Sequence, residues 1–157
     1  MSGHGIWFLD TLVRVRVAHD AAADGLSVLE HRAPFGDSPP LHIHHTEDEL
    51  FVVLEGEFRF LIGDELRTGR GGQLILAPKG VPHTYRVDST SGGRWLTITA
   101  RGDFERFVQT MGRNADREAL PPPSGHPSPE AAEALATTAR EFGIELVGPP
   151  LPALGDA

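Results

Sequence analysis

A long-range histidine spacing narrows the folds open to this chain. A tight group of imidazoles and carboxylates at positions 42–49 is followed, 39 residues after His44, by one more histidine behind a glycine and proline turn. The first stretch reads GDSPPLHIHHTEDELFVVLEG and the second GQLILAPKGVPH. On an extended segment alternate side chains leave the same face, so His42 and His44 project together while His45 points the other way. Pro39 and Pro40 favour that extended approach. Glu49 follows a short polar turn. Two histidines two apart, a carboxylate and a histidine returned by a distant strand can give three nitrogens and one oxygen to a single ion. Glu47 and Asp48 stay in competition with Glu49 for the oxygen position, because the turn can shift the phase of the strand. The plain alternative is that adjacent histidines are also common on solvated surfaces.

Several function classes are disfavoured by bulk properties. At 157 residues the chain has room for one domain with a stable core. A formal charge of -8 opposes binding to nucleic acid or to an anionic membrane, both of which need a basic patch. There is no cysteine, so disulfides and thiolate ligands are excluded and a metal site must use nitrogen and oxygen. The apolar patch Ile6 to Leu9 is broken by Asp10, too short for a signal core or a membrane span. A cytoplasmic protein is the expectation.

The remaining pattern is mostly of period two. Ile6 to Ala18 reads as a strand whose arginines 14 and 16 make one wet face, and Leu26 to Pro34 as another. His31 on that second run is expected to be structural or exposed. From Glu49, strict alternation puts Phe51 and Val53 on the face of the carboxylate, giving the pocket an apolar wall. Gly63 to Glu65 and Gly71 to Gly72 mark reversals. After Pro78, Gly80 and Pro82 comes a strand on which Tyr85, the one tyrosine, shares the face of His83. Its phenol is a candidate catalytic or substrate-contacting group, or else a lining residue. RWLTITARG follows, with either face free to be the inner one. Phe104, Phe107, Val108 and Met111 switch to helical spacing, with Asp103 as expected cap. A proline-rich connection then leads to a helix capped by Ser128, opened by Pro129 and ended by Gly143, and to a short edge strand. Eight to ten strands and two late helices result, with residues 1–112 as barrel and following helix and 113–157 as connection and helical cover of the same domain.

The two histidine stretches resemble the two motifs of the cupin superfamily. The first falls on Gly36, His42, His44, Glu49 and Gly56; the second, 15 residues on, on Gly72, Pro78, Gly80 and His83. The asparagine that commonly closes the second motif is Val87 here, outside the ligand positions. The resemblance implies an all-β double-stranded β-helix, a jelly-roll barrel, holding one divalent transition metal through His42, His44, Glu49 and His83. Iron, nickel or manganese fit such ligands, with zinc, cobalt and copper as further options. The wording of the first motif is similar to small bacterial cupins grouped with quercetin 2,3-dioxygenase. That likeness implies an oxidoreductase using dioxygen on a small aromatic or enolisable substrate, with Glu49 as ligand and proton acceptor and with Phe51, Val53 and Tyr85 around the substrate. A non-enzymatic small-molecule sensor and a metal-dependent isomerase are the alternatives. A homodimer is also implied, through the early Val/Arg strand or the C-terminal segment.

Overall fold

The structure is a computed structural model and describes residues 4–156. Among the described residues there are twelve strands, more than the pattern predicts, because short edge pieces give no periodic signal. They are β1 (Ile6–Phe8), β2 (Thr11–Val17), β3 (Ser27–Ala33), β4 (Leu41–His44), β5 (Glu49–Glu55) and β6 (Glu57–Ile62). Then come β7 (Glu65–Arg70), β8 (Leu74–Ala77), β9 (His83–Val87), β10 (Gly93–Thr99), β11 (Arg113–Asn114) and β12 (Ile144–Gly148). Two helices, α1 (Asp103–Met111) and α2 (Pro129–Glu141), interrupt the late strands. The run from Ile6 to Ala18 is two strands rather than one. Leu9, at φ 53, makes the bend between them, a local conformation that alternation cannot foretell.

The strands form two antiparallel sheets, in the orders β11-β1-β2-β3-β10-β5-β8 and β12-β4-β9-β6-β7. This is the jelly-roll arrangement, but the sheets lie face to face without closing into one barrel. The chain passes from β7 to β8 without pairing them, since β7 pairs with β6 and β8 with β5. On β10 the ambiguity of faces is resolved by burial: Trp95, Thr97 and Thr99 point inward and Leu96 and Ile98 outward.

Two apolar clusters fill the interior. One gathers Phe51, Val53, Phe58, Phe60, Ile75, Val87 and Trp95 between the sheets. The other joins Phe8, Val13 and Leu29 to Phe107 and Val108 of α1, Ala139 of α2 and Ile144 of β12, so the C-terminal elements share a core with the first strands. Ser128 caps α2 through its hydroxyl, which accepts from Ala131 N at 3.1 Å, as the sequence predicts. Asp103 does not cap α1. It is the first helical residue, and the cap is Gly102 at φ 75. No helix among the described residues is long and apolar enough to cross a membrane.

Candidate metal centre

The site is assembled from both sheets. His42 and His83 are directly paired residues of β4 and β9, with rings 4.4 Å apart. His44 follows on the same face of β4. Glu49 is the first residue of β5 in the opposite sheet, so the carboxylate meets the three imidazoles across the interior. The Pro78 to His83 turn is held to β4 by Gly80, whose N–H donates to His44 O at 2.9 Å while its φ of +82 suits glycine alone. One ligand atom from each of His42, His44, Glu49 and His83 lies within 4.8 Å of the others. His44, Glu49 and His83 are buried and His42 is half-buried.

The donor set fits a divalent ion. His42 Nδ1 donates to Pro40 O at 2.7 Å and His83 Nδ1 to Val81 O at 3.1 Å, which leaves Nε2 of each ring for the interior. Such backbone anchoring of the far nitrogen is how metal-binding imidazoles are oriented. Both ring nitrogens of His44 are buried with no hydrogen-bond partner: Nε2 lies 3.1 Å from Glu49 Oε2 but is not aligned as a donor to it. A buried nitrogen in that state is costly unless something else takes its lone pair or proton. His83 Nε2 meets the same Glu49 oxygen at 2.7 Å, a contact that needs one proton between two lone pairs, and a cation can replace that proton.

Charge in the cluster is polarised accordingly. Burial and the neighbouring His83 and His44 push His42 down to about 3, so its imidazole is neutral across the physiological range. Burial would raise the Glu49 carboxyl, yet His44 and His83 together hold it well below the usual carboxylate range. Burial likewise pulls His44 down, and the charge of Glu49, helped by Glu47 and Asp103, outweighs it and raises that imidazole.

The competing carboxylates are engaged elsewhere. Glu47 is buried, with Oε2 accepting from Arg101 N at 3.0 Å and Oε1 from Phe104 N at 2.8 Å. Asp48 is exposed and accepts from Lys79 N. His45 is exposed and pairs with Glu145 at 2.7 Å. Phe51 sets its ring 6.1 Å from both His83 and Tyr85, edge-on, whereas Val53 lies one inward position further along β5, fully buried in the core. His31 is buried and stacked on Trp95.

Tyr85 has a partner the sequence did not suggest. Its hydroxyl donates to Asp37 Oδ2 at 3.1 Å, from the loop between β3 and β4. Burial, Asp37 and Glu49 keep the phenol well above its ordinary range, hence protonated. Burial raises the Asp37 carboxyl from 3.8 to about 6, against the Tyr85 hydrogen bond and with help from Asp10. The fold therefore prefers a protonated Asp37: its contribution is complete below pH 3.8 and is lost as pH rises through about 6. Asp37→Asn keeps an acceptor for Tyr85 without the charge. It should match the wild type near pH 4 and exceed it above pH 7 by on the order of 1–2 kcal/mol in urea unfolding, whereas equal stabilities at both ends would refute the assignment.

Comparison with known proteins agrees with this geometry. A family model described as a cupin domain matches residues 28–99, the span that carries all four clustered residues. The chain thus carries a cupin domain at residues 28–99. Quercetin 2,3-dioxygenase of Bacillus subtilis (strain 168) is 30% identical to it over 87 residues, 55% of this chain and 26% of that protein. The match thus spans about a quarter of the relative's length. The Cnp3 cupin domain of Schizosaccharomyces pombe superposes with a TM-score of 0.54 at 10% identity, covering 66% of this chain and 70% of that one. The polyketide cyclase RemF of Streptomyces resistomycificus superposes with a TM-score of 0.51 at 24% identity, covering 57% of this chain and 64% of that one. These structural likenesses concern the fold.

Proposed function

We propose that this protein is a metal-dependent oxidoreductase, a dioxygenase whose small aromatic or enolisable substrate reaches the ion through an oxygen atom. The observation that carries the reading is the buried cluster of three imidazoles and one carboxylate, in which Glu49 alone supplies negative charge. The name of the Bacillus subtilis relative adds the reaction class. His42, His44, Glu49 and His83 would hold one divalent ion, of iron, nickel or manganese, with zinc, cobalt and copper as further options. The ion would supply Lewis acidity and a meeting place for substrate and dioxygen. The protein's part is to fix the imidazoles through Pro40 and Val81, to exclude water with Phe51, and to accept the substrate's hydroxyl proton at Glu49.

The test is anaerobic reconstitution with each metal, then exposure to flavonols, catechols and diketones while dissolved oxygen is followed. Metal-dependent oxygen uptake with one of these classes is expected. Tight binding without uptake across several metals would favour the second reading, a small-molecule sensor or a metal-dependent isomerase. That reading draws on Tyr85, whose proton is directed to Asp37 and away from the imidazoles.

A homodimer belongs to the same proposal, with the outer face of β8 as a candidate surface beside the early strand and the C-terminal segment. Leu74 and Leu76 of the edge strand β8 are 61% and 48% exposed, and they pair across the outer sheet face with Val52 and Leu50, which pair in turn with Leu96 and Ile98. A contiguous apolar ladder of this kind suits a self-complementary contact. Sedimentation should give twice the chain mass, reverting to one chain in the double substitution Leu74→Glu and Leu76→Glu; a wild-type monomer would remove this part of the proposal.

A further inference from the structure

The inner faces of β3, β10 and β5 align in rows. Ser27, Thr99 and Glu49 form one, Leu29, Thr97 and Phe51 the next, His31, Trp95 and Val53 the third. Four polar atoms on this grid are buried without a hydrogen-bond partner: Ser27 Oγ, Thr97 Oγ1, His31 Nε2 and Trp95 Nε1. Their residues are at most 3% exposed. Folded proteins pair almost all buried polar groups, because an unpaired one loses its bonds to water and gains none in return. Four of the seven such atoms among the described residues share this one face, in rows that start at the carboxylate of the candidate metal cluster and lead away from it.

The chemistry missing from this face is an oxygen that accepts hydrogen bonds. An indole N–H only donates, and the Thr97 hydroxyl can donate as well as accept. Burial pushes His31 down to about 4, against the charge of Glu49, so its ring is neutral and carries one N–H. Flat apolar walls flank these donors. His31 stacks on Trp95 at 4.8 Å and on Phe104 at 5.9 Å, and Tyr85 stands 5.0 Å from Trp95. Same-face residues on a strand are about 7 Å apart, so Thr97 lies about that far beyond Thr99, which faces Glu49 directly.

We propose that Thr97, Trp95 and His31 form an oxygen-recognising seat for the substrate: a small aromatic or enolisable molecule sets one oxygen on the ion and a second at Thr97, about 7 Å along the strand from the row of Glu49, with Trp95 and His31 closing the seat from the next row. The seat rests on the metal-dependent reading above. It also explains why apolar residues, which would stabilise the interior more, do not occupy these positions.

The experiment uses the cobalt-loaded full chain and two probes, benzoate and 4-hydroxybenzoate. The carboxylate of each reports on the ion through the cobalt absorption bands. The para hydroxyl of the second reaches the seat. Wild-type protein should bind 4-hydroxybenzoate about tenfold more tightly than benzoate, the value of one well-made hydrogen bond to a buried donor. In Thr97→Val, which keeps shape and removes a polar atom, that preference should shrink towards unity while benzoate affinity stays constant; Trp95→Phe and His31→Phe remove the other two polar atoms with a change of volume and should lower the preference as well. Thr97→Val should also melt at least about 2 °C higher without ligand, because an unpaired buried hydroxyl is gone. A preference unchanged in all three variants overturns the seat, as does a lowered melting temperature in Thr97→Val, which would show a partner within the protein. A crystal structure with ordered water alone on the three atoms in the presence of 4-hydroxybenzoate overturns it too. If neither acid perturbs the cobalt bands, the metal-oxygen reading fails and the seat with it; if both perturb them equally, the seat alone fails.

Discussion

Glu49→Gln is expected to weaken divalent metal binding by at least about 100-fold, since a neutral amide leaves an ion of charge two uncompensated among neutral imidazoles in a buried site. Glu49 is 2% exposed, and among the described residues no other carboxylate shares the cluster with the three histidines. Its oxygen Oε2 already lies 2.7 Å from His83 Nε2 and 3.1 Å from His44 Nε2, so it has no alternative pose to which the charge could retreat. A ligand that binds only the folded state stabilises it by about 2.7 kcal/mol at 100 times its dissociation constant, and that increment should vanish in the variant. Thermal melts with and without a chelator check it: the wild type loses several degrees on chelation and Glu49→Gln loses almost none. Metal content after dialysis should fall in parallel. An unchanged chelator shift with full metal occupancy would remove Glu49 from the ligand set.

The residues that alternation and turn chemistry govern are legible in the sequence alone. His42 and His44 share a face because the side-chain period of a strand is two, and the glycine and proline turn returns His83 to that face by a register that pairs it with His42. The inward set on β5 followed from the same rule. What local pattern could not supply is the role of groups met across long chain separations. Glu47, Asp48 and Glu49 differ in sequence by a phase alone. Only the placement of α1 shows that the first is drawn to helix backbone, and only the position of Lys79 shows what holds the second. Asp37 belongs to a loop with no periodicity, so its approach to Tyr85 left no mark in the chain. The unpaired face of Ser27, Thr97, His31 and Trp95 was hidden for another reason: threonine and tryptophan in a strand read as ordinary β-formers, and nothing in their spacing tells whether their polar atoms find partners. Gly102 replaced Asp103 as the cap of α1 because the anionic cap comes from elsewhere in the chain.

That cap carries the second large expected effect. Glu47 places one carboxylate oxygen on Arg101 N and the other on Phe104 N, satisfying backbone donors at the start of α1 that the Gly102 cap has no side chain to serve. A buried carboxylate at a helix N-terminus gains from the helix dipole as well as from two charge-assisted hydrogen bonds. Glu47→Ala should therefore cost about 3 kcal/mol or more, a fall of roughly 6–12 °C in melting temperature for a chain of this size. The metal cluster should feel it indirectly. Thr46 Oγ1 donates to Asp103 at 2.6 Å and Phe104 packs edge-on 5.6 Å from His44, so a loosened α1 gives His44 more freedom and metal affinity drops by no more than about tenfold, with one ion still bound. Asp48→Ala loses only an exposed contact to Lys79 N and should stay within about 1 kcal/mol of the wild type with unaltered metal affinity. Melting curves and metal titrations on the two variants separate the three neighbouring carboxylates: a Glu47→Ala protein that melts normally but binds no metal would exchange the roles of Glu47 and Glu49, while the expected pairing of a large loss in stability with retained metal identifies Glu47 as the group that docks α1 against the sheets and Glu49 as the one that faces the ion.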